Sequence, residues 1–230
     1  WNTNQYLSLY DGANSTQKCG DASTSYLYTH ELSIANMRKL YGEQLKNIKI
    51  IILLRNPISR AYSHYTYLIR NGFESRPFEE AISPQGIEAW KKKRWGFDYL
   101  KYGEYADAAQ AFKDNFDHVQ VYLTEDLKET KSTLSKVCQF LEVDEIAELR
   151  DVVANPSGIP KNKMLGNALR HNRAFKAIGR ALPEKTKLKA QSMRDRVMGK
   201  LLTKNPMPEE SRLVLQQHYK EDIDRLSKTI

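Results

Sequence analysis

The 230-residue sequence has little cysteine and no long hydrophobic run. Its two cysteines, Cys19 and Cys138, belong to no CxxC pair or Cys/His cluster, which argues against a structural zinc site and a disulfide framework. Two free thiols suit a reducing compartment, and a single bridge between them stays open as an alternative. The longest apolar run, residues 50–54, is far shorter than the roughly 20 residues of a membrane-spanning helix. We therefore expect no transmembrane segment.

Length and composition favour one globular domain over residues 1–230. The chain is 40% hydrophobic and 28% charged with a net charge of +8, so it is neither fibrous nor broadly disordered. The positive charge is concentrated in residues 155–205, where thirteen lysines and arginines accompany only two acids, a local net charge of +11. Such a strip attracts phosphates, sulfates, acidic glycans, nucleic acid or anionic lipid, and it is equally typical of a solvated helical surface.

Predicted strands and helices alternate along the chain. The β-branched run at residues 49–54 predicts a strand that is apolar on both faces, as in a buried parallel sheet, and residues 118–123 predict a second strand. The predicted helices span residues 31–41, 59–70, 105–116 and 126–142 and begin again near residue 208, with a loop and short helix at 75–81, an exposed basic segment at 90–95 and a basic loop at 155–163. This alternation predicts an α/β fold class, a mostly parallel sheet flanked by helices.

The first predicted strand leads into a segment that suits phosphate binding. Residues 54–63 read LRNPISRAYS, which places Arg55 at the carboxyl end of the strand, the edge where open α/β sheets bind ligands. Pro57 opens a helix whose first N–H groups favour anions, and Ser63 lies on that helix. An arginine and a hydroxyl near a helix start can hold a phosphate. A capped helix with Arg55 in a surface ion pair explains the same residues.

This segment resembles the 3'-phosphate-binding motif of sulfotransferases that use 3'-phosphoadenosine 5'-phosphosulfate (PAPS). In that family the strand-end arginine and the later helix serine hold the 3'-phosphate, so the resemblance gives these roles to Arg55 and Ser63. It also implies a P-loop NTPase-like sulfotransferase fold, PAPS as donor, 3'-phosphoadenosine 5'-phosphate (PAP) as product, and no metal. Lys161 and Lys163 fall where relatives close a basic segment over the nucleotide, which makes them candidate phosphate contacts or solvated loop charges.

A second segment resembles the acceptor side of the same family. Residues 19–27, CGDASTSYL, are similar to the family's Gly-Glu-x-[Ser/Thr]-x-x-Tyr pattern near the acceptor cleft, which makes Asp21, Ser23 and Thr24 acceptor-side candidates. Two departures, Asp21 in place of Glu and Ala22 where many glycan-sulfating members have Lys, count against transferring a glycan-binding role. An ordinary strand followed by a Ser/Thr-rich turn is the alternative interpretation.

Two later segments also follow the family's order. Residues 102–105 read YGEY and residues 121–127 read VYLTEDL, and both fall where the family places similar stretches. Glu125 and Asp126 follow a strand and precede a helix. We interpret these two acids as a helix cap and a partner of the helix dipole rather than as a catalytic acid/base pair.

One family element is not found. The Lys-[Ser/Ala]-Gly-Thr-[Ser/Thr] loop that cradles the 5'-phosphosulfate has no counterpart, since the sequence contains no Gly-Thr pair, and the family's first strand is missing with it. A sheet without this central strand would expose unpaired edges, so we expect the sequence, which opens on Trp1, to omit an N-terminal portion. The family's catalytic base would lie there or upstream, and His30 and His64 are the nearby substitutes. We expect a cytoplasmic location, or the Golgi lumen if that portion carries a membrane anchor.

The sequence therefore predicts a sulfotransferase that moves the sulfuryl group of PAPS to an acceptor hydroxyl or amine, on a glycan or a small hydroxylated molecule. A second hypothesis is a catalytically silent module that binds 3'-phosphonucleotides or polyanions. A third, a nucleic-acid-binding domain, depends on the basic strip alone and lacks a recognisable motif, so no specific nucleic-acid partner is expected.

Overall fold

A computed structural model of the chain describes residues 2–91, 98–146, 158–160, 202–203 and 205–230. Its contacts divide the chain into two compact units. The first unit comprises Trp1–Arg55, Glu104–Leu149 and Lys220–Ile230, and the second comprises Asn56–Gly103 and Arg150–Tyr219. In chain order the α-helices of the described residues are α1 (Thr3–Leu7), α2 (His30–Tyr41), α3 (Pro57–Arg70), α4 (Phe78–Ala81), α5 (Pro84–Lys91), α6 (Ala106–Asn115), α7 (Thr130–Leu141) and α8 (Glu209–Thr229).

The first unit is built on a parallel pair of strands. β1 (Lys49–Leu54) pairs with β2 (His118–Leu123) in parallel, with Ile52 opposite Val121. Both strands coincide with the ranges that the sequence predicts. A parallel pair combined with flanking helices confirms the predicted α/β fold class.

The core of the first unit packs against one face of β1. Ile52 and Leu54 are 6% and 1% exposed, whereas Ile51 and Leu53 are 39% and 51% exposed. Successive side chains of a strand point to opposite faces, so the predicted burial on both faces is wrong and only one face enters this core. The buried members of the cluster come from β1, α2, α6 with its flanking residues, and α8: Ile34, Ile52, Leu54, Tyr105, Ala106, Ala109, Phe112, Phe116 and Leu226.

Helix termini of the first unit follow local chemistry. α2 ends at Gly42, whose φ of +52° is a conformation that a residue with a Cβ adopts only with strain. The predicted single helix over residues 126–142 is wrong in its first turn, because a 3-10 turn (Asp126–Glu129) comes before α7. Glu129, the last residue of that turn and the N-cap residue of α7, has a non-helical backbone with φ −96° and ψ +56°, which breaks the helix there.

A buried carboxylate on α8 caps α6. Asp222, 7% exposed, accepts hydrogen bonds from the backbone N–H groups of Tyr105 at 2.8 Å and Ala106 at 3.2 Å. These groups begin α6, and the helix N-terminus is the end that a negative charge stabilises. The contact joins residues more than one hundred positions apart in the sequence.

The second unit has its own aromatic core. Tyr99 and Tyr219 are fully buried there, and the Tyr219 hydroxyl donates to the Leu100 carbonyl oxygen at 2.9 Å. A Cβ at Gly103, within the 3-10 turn Lys101–Gly103, would lie 2.6 Å from that hydroxyl oxygen, so only glycine fits. The cluster consists of Ala61, Tyr65, Leu68, Phe78, Ala81, Ile82, Tyr99, Leu215 and Tyr219. A short antiparallel pair, β3 (Ile159–Pro160) and β4 (Leu202–Thr203), also belongs to this unit.

The second unit also contains a buried ion pair. The side chain of Glu74 is completely buried and accepts from Arg76 Nη2 at 2.6 Å and Nε at 3.1 Å. Its oxygens also accept from the backbone N–H groups of Ser75 and Arg76 and from the Tyr99 hydroxyl, at 2.8, 3.0 and 2.8 Å. Burial alone would raise the pKa of Glu74, but the hydrogen bonds from Arg76, Ser75 and Tyr99 outweigh it and hold this pKa below its ordinary value.

Candidate functional site

Arg55 follows the last residue of β1 in the first unit. Leu54, 1% exposed, is anchored by its carbonyl oxygen, which accepts from the Thr124 N–H at 2.7 Å. Arg55 is the next residue, directly after the carboxyl end of the strand, and it is exposed to solvent. This is the position that the sequence predicts for it. A guanidinium at such an edge is placed to meet an anionic ligand.

The second unit begins with the capped start of α3. Asn56 is the N-cap, and its side-chain oxygen accepts from the Ser59 N–H at 3.0 Å. Pro57 occupies the first helical position, where a missing N–H costs nothing. Ser63 lies in the second turn of α3 and is half-buried. Arg55 and Ser63 thus belong to different compact units, and their joint contact with a phosphate stays a prediction.

The side chain of Arg60 packs on an aromatic ring, a contact that the sequence reasoning missed. Its guanidinium carbon lies 4.7 Å from the centroid of the Tyr102 ring, a cation–π contact of about 0.5–2 kcal/mol. Both residues occur in segments that carry the family resemblance, one in the run after β1 and one in the YGEY stretch. The contact joins the first turns of α3 to the 3-10 turn within the second unit.

The two candidate histidines lie in different units. His64 on α3 makes edge-on contacts with the rings of Tyr99 and Tyr102, at centroid distances of 5.2 and 5.4 Å. This environment suits a packing role. His30 is the first residue of α2 in the first unit and is half-buried. Their participation in catalysis stays a prediction.

Asp21 is the centre of a tyrosine cluster in the first unit. Its Oδ2 accepts a hydrogen bond from the Tyr26 hydroxyl and another from the Tyr6 hydroxyl at 3.3 Å. The Tyr10 hydroxyl donates in turn to the Tyr6 hydroxyl oxygen at 3.4 Å, and the rings of Tyr6 and Tyr10 meet edge to face at 5.6 Å. The sequence reasoning missed Tyr6 and Tyr10, because they stand well before the motif that contains Asp21.

The environment keeps these phenols protonated at neutral pH. The hydrogen bond to Asp21, together with burial, raises the pKa of Tyr26 to about 12. Burial and hydrogen bonding to Tyr10 and Tyr41 raise the pKa of Tyr6 as well. Each of the two phenols therefore remains a donor to the carboxylate across the physiological range.

The other acceptor-side candidates are exposed and make local contacts. The hydroxyls of Ser23 and Ser25 lie 2.8 Å apart, and the Ser25 N–H donates to the Ser23 hydroxyl at 3.3 Å. Thr24 is exposed between them. The structure therefore brings Asp21 together with tyrosines rather than with Ser23 and Thr24.

An open groove of about 510 Å³ lies beside this cluster in the first unit. Tyr10 belongs to both the groove and the tyrosine cluster. Lys18 is the one charged residue of the groove lining, and its Nζ lies 3.6 Å from a Glu142 carboxylate oxygen. The lining residues are Leu9, Tyr10, Gly12, Ala13, Thr16, Gln17, Lys18, Cys19 and Val143.

Glu125 and Asp126 make short-range contacts at the end of β2. Asp126 Oδ2 accepts from the Leu123 N–H at 2.8 Å, and Glu125 accepts from the Thr124 hydroxyl at 3.1 Å. Asp126 thus closes the turn after β2, whereas Glu125, the N-cap residue of the 3-10 turn, makes no side-chain cap hydrogen bond, so the predicted side-chain cap is wrong. The arrangement agrees with a structural role.

Several predicted features lie outside the described residues. These are Lys161, Lys163, most of the basic strip at 155–205 and most of the basic segment at 90–95. Within the described ranges, no group of three or more His, Cys, Asp or Glu side chains is arranged to bind a metal ion. Among the helices there, none has the length and apolarity needed to cross a membrane. Cys19 is exposed, Cys138 is buried, and both are free thiols.

Comparisons with known proteins identify the family and the fold. The family model of the sulfotransferase domain matches residues 22–227. The crystal structure of a sulfotransferase from Alicyclobacillus acidocaldarius superimposes with a TM-score of 0.65 at 22% sequence identity, and the match covers 98% of this chain and 69% of that chain. No curated protein matches the sequence. The structural likeness establishes the fold.

Proposed function

The chain belongs to the sulfotransferase family, and we propose that it transfers the sulfuryl group of PAPS to a hydroxyl or amine of an acceptor, on a glycan or a small hydroxylated molecule. The bond between sulfur and the 5'-phosphate oxygen breaks, a bond from sulfur to the acceptor oxygen or nitrogen forms, and PAP leaves. The acceptor's proton passes to a base. As in phosphoryl transfer, the protein contributes chiefly alignment and stabilisation of charge.

The observation that carries the proposal is the local structure of the chain at the end of β1 and, separately, at the start of α3. An exposed arginine follows a strand end that is 1% exposed, and a helix with an Asn cap and Pro at its first position begins two residues later. We assign Arg55 and Ser63 to the 3'-phosphate of the donor, where they position the nucleotide without taking part in bond making. Lys161 and Lys163 are proposed as further phosphate contacts.

Asp21, Ser23 and Thr24 are proposed for the acceptor side. The exposure of all three leaves them accessible to a ligand. We propose a reducing compartment such as the cytoplasm for the reaction, because Cys19 and Cys138 are free thiols. No metal takes part in this scheme, since cationic side chains and backbone amides neutralise the leaving phosphate.

The assignment of Arg55 is tested by titrating PAP into Arg55→Ala in a calorimeter. Loss of a charged hydrogen bond to a phosphate costs about 1.5–3 kcal/mol, so the dissociation constant is expected to rise roughly 10- to 150-fold. Ser63→Ala removes an uncharged donor to the charged phosphate, which places its cost at the lower end of that range, about 1.5 kcal/mol, and is expected to weaken PAP about 10-fold. Arg212→Ala, at an exposed arginine on α8 that pairs with Glu209, is the matched control and should bind PAP as the wild type does.

An unchanged PAP affinity in Arg55→Ala contradicts the assignment. Radiolabelled PAPS then separates catalysis from simple binding, because an enzyme transfers the label to an acceptor and a silent binding module retains it on the nucleotide. Wild-type protein that fails to bind PAP at all contradicts the choice of donor.

A further inference from the structure

The Asp21 carboxylate is fixed through one of its two oxygens. Tyr26 and Tyr6 both donate to Oδ2, from positions 5 residues after and 15 residues before Asp21. Tyr10 extends this chain of hydrogen bonds to the lining of the groove. Because the two phenols approach from separate segments of the chain, they restrict rotation of the carboxylate as a single donor would not.

The other oxygen is available to a ligand. Within the part of the chain that the structure describes, Oδ1 of Asp21 accepts no hydrogen bond, and the residue is exposed. An ionised carboxylate is solely a hydrogen-bond acceptor, so a group that binds Oδ1 must donate. Hydroxyl and ammonium groups meet this requirement, whereas carboxylates and sulfates do not.

Among the described residues, the lining of the groove beside Asp21 offers one lysine to an anion. The residue after Asp21 is Ala22, and the one charged residue of the adjacent groove, Lys18, lies within 3.6 Å of Glu142. The remaining lining is uncharged and includes the ring of Tyr10. Glu142 also pairs with Lys49 at 2.8 Å, so the charge of Lys18 is only partly compensated, and it is the carboxylate of Asp21 itself that disfavours a second negative charge in direct contact with Oδ1.

We propose that Tyr6 and Tyr26 are positioning residues that hold Asp21 so that its Oδ1 accepts a hydrogen bond from a hydroxyl or ammonium group of the sulfuryl acceptor, and that this acceptor has no anionic group at that contact. The inference rests on the proposed function and narrows its acceptor to neutral or cationic molecules. Asp21 selects the acceptor by charge. The two phenols increase this selectivity because they fix the orientation of the Asp21 carboxylate.

Three ligands with one skeleton test the selection without any donor present. Tyramine, tyrosol and 4-hydroxyphenylacetate differ at one end, which is an ammonium, a hydroxyl or a carboxylate, and their binding is measured by ligand-observed saturation-transfer NMR. Unit charges about 4 Å apart in water change affinity by about fivefold. Wild-type protein is thus expected to bind tyramine about fivefold more tightly than tyrosol, and 4-hydroxyphenylacetate about fivefold more weakly.

The variants separate the charge of Asp21 from its positioning. Asp21→Asn is expected to bind the three ligands within about twofold of one another, because the charge is gone. Tyr26→Phe keeps the charge of Asp21 but frees its carboxylate to rotate, so the differences in affinity among the three ligands should narrow. The affinity for tyrosol should fall most, because a neutral hydroxyl depends on the direction of its hydrogen bond to Oδ1. Tyr67→Phe, at an exposed tyrosine of the second unit, is the control and should retain the wild-type order.

Each alternative outcome decides the matter. Equal binding of 4-hydroxyphenylacetate and tyramine by the wild type, an undiminished spread in Asp21→Asn, or no binding of any of the three ligands overturns the proposal. PAP titrated into the same samples keeps this separate from the donor assignment. Wild-type protein that discriminates the ligands but binds no PAP supports the inference and contradicts the proposed donor. Wild-type protein that binds PAP but does not discriminate the ligands supports the proposed donor and contradicts the inference.

Discussion

Removing the charge of Glu74 is expected to destabilise the chain more than any loss of a single surface contact. In the wild type, Oε2 of Glu74 accepts from Arg76 and Tyr99. Glu74→Gln keeps the shape of the side chain but can place an NH₂ group, which only donates, at that position. The Arg76 side chain, 15% exposed, then keeps its charge without the buried carboxylate. Deleting one partner of a buried pair costs about 3–5 kcal/mol. Because Arg76 is partly exposed and water can solvate its charge, we expect the free energy of unfolding to fall by about 3 kcal/mol, the lower end of this range.

The assay is equilibrium urea unfolding followed by circular dichroism, with thermal unfolding alongside. A loss of about 3 kcal/mol lowers the melting temperature by roughly 6–12 °C for a chain of this size. Tyr99→Phe removes one hydrogen bond to the charged carboxylate and should cost about 1.5 kcal/mol, half as much. Glu43→Gln, at an exposed glutamate of the first unit, is the control and should change stability by less than about 0.5 kcal/mol.

Acid provides an independent measure of the same carboxylate. Because the pKa of Glu74 is lowered in the folded state, its stabilisation is fully present above the ordinary glutamate pKa and is lost as pH falls through the lowered value. Stability of the wild type should therefore fall in acid, and Glu74→Gln should remove that part of the decline. Equal stability of Glu74→Gln and wild type at neutral pH would refute the reasoning, since the pair would then contribute nothing.

Two further substitutions probe the contacts that organise each unit. Asp222→Ala removes the cap of α6 and should lower the free energy of unfolding by about 1–2 kcal/mol in urea, while Asp224→Ala, exposed on the same helix, should be nearly neutral. Gly103→Ala places a Cβ 2.6 Å from the Tyr219 hydroxyl oxygen and should cost about 1–3 kcal/mol by thermal unfolding. Gly12→Ala, where nothing lies within 4 Å, is its control, and equal losses in the two would contradict the steric explanation.

Local patterns in the sequence predict most of the described elements. β1 and β2 agree residue for residue, because a β-branched run or strict alternation is visible without knowledge of the fold. The two-residue strands β3 and β4 carry no such pattern and are not predicted. α2 begins and ends within one residue of the predicted bounds, since Gly42 follows its last residue, and α8 begins next to the predicted start near residue 208, where acids open the helix. The predicted helix at 126–142 has the wrong start. Its apolar spacing continues back through residues 126–129, but the non-helical backbone of Glu129 keeps these residues out of α7.

Contacts across long stretches of chain escape such patterns. Neither the Tyr6–Asp21 hydrogen bond nor the Tyr99–Glu74 hydrogen bond has a periodic signal, as each joins single residues that the fold brings together. Asp222 is indistinguishable in the sequence from the exposed acids of its helix, and only the position of α6 singles it out. The roles of Arg55 and Ser63 came from the family resemblance, and like the single domain over residues 1–230 they stay predictions.

The proposed donor and acceptor residues carry opposite charges, and the chemistry gives a reason. The donor is a polyanion, so a guanidinium such as that of Arg55 attracts it, whereas a carboxylate in the acceptor's place repels it. An acceptor that donates a hydrogen bond to Asp21 is attracted by the same carboxylate that excludes stray anions. Electrostatic attraction and repulsion would then direct the donor toward Arg55 and the acceptor toward Asp21 before either forms a specific contact. A lysine beside Asp21, where the chain has Ala22, would weaken this sorting by attracting anions to the acceptor's position as well.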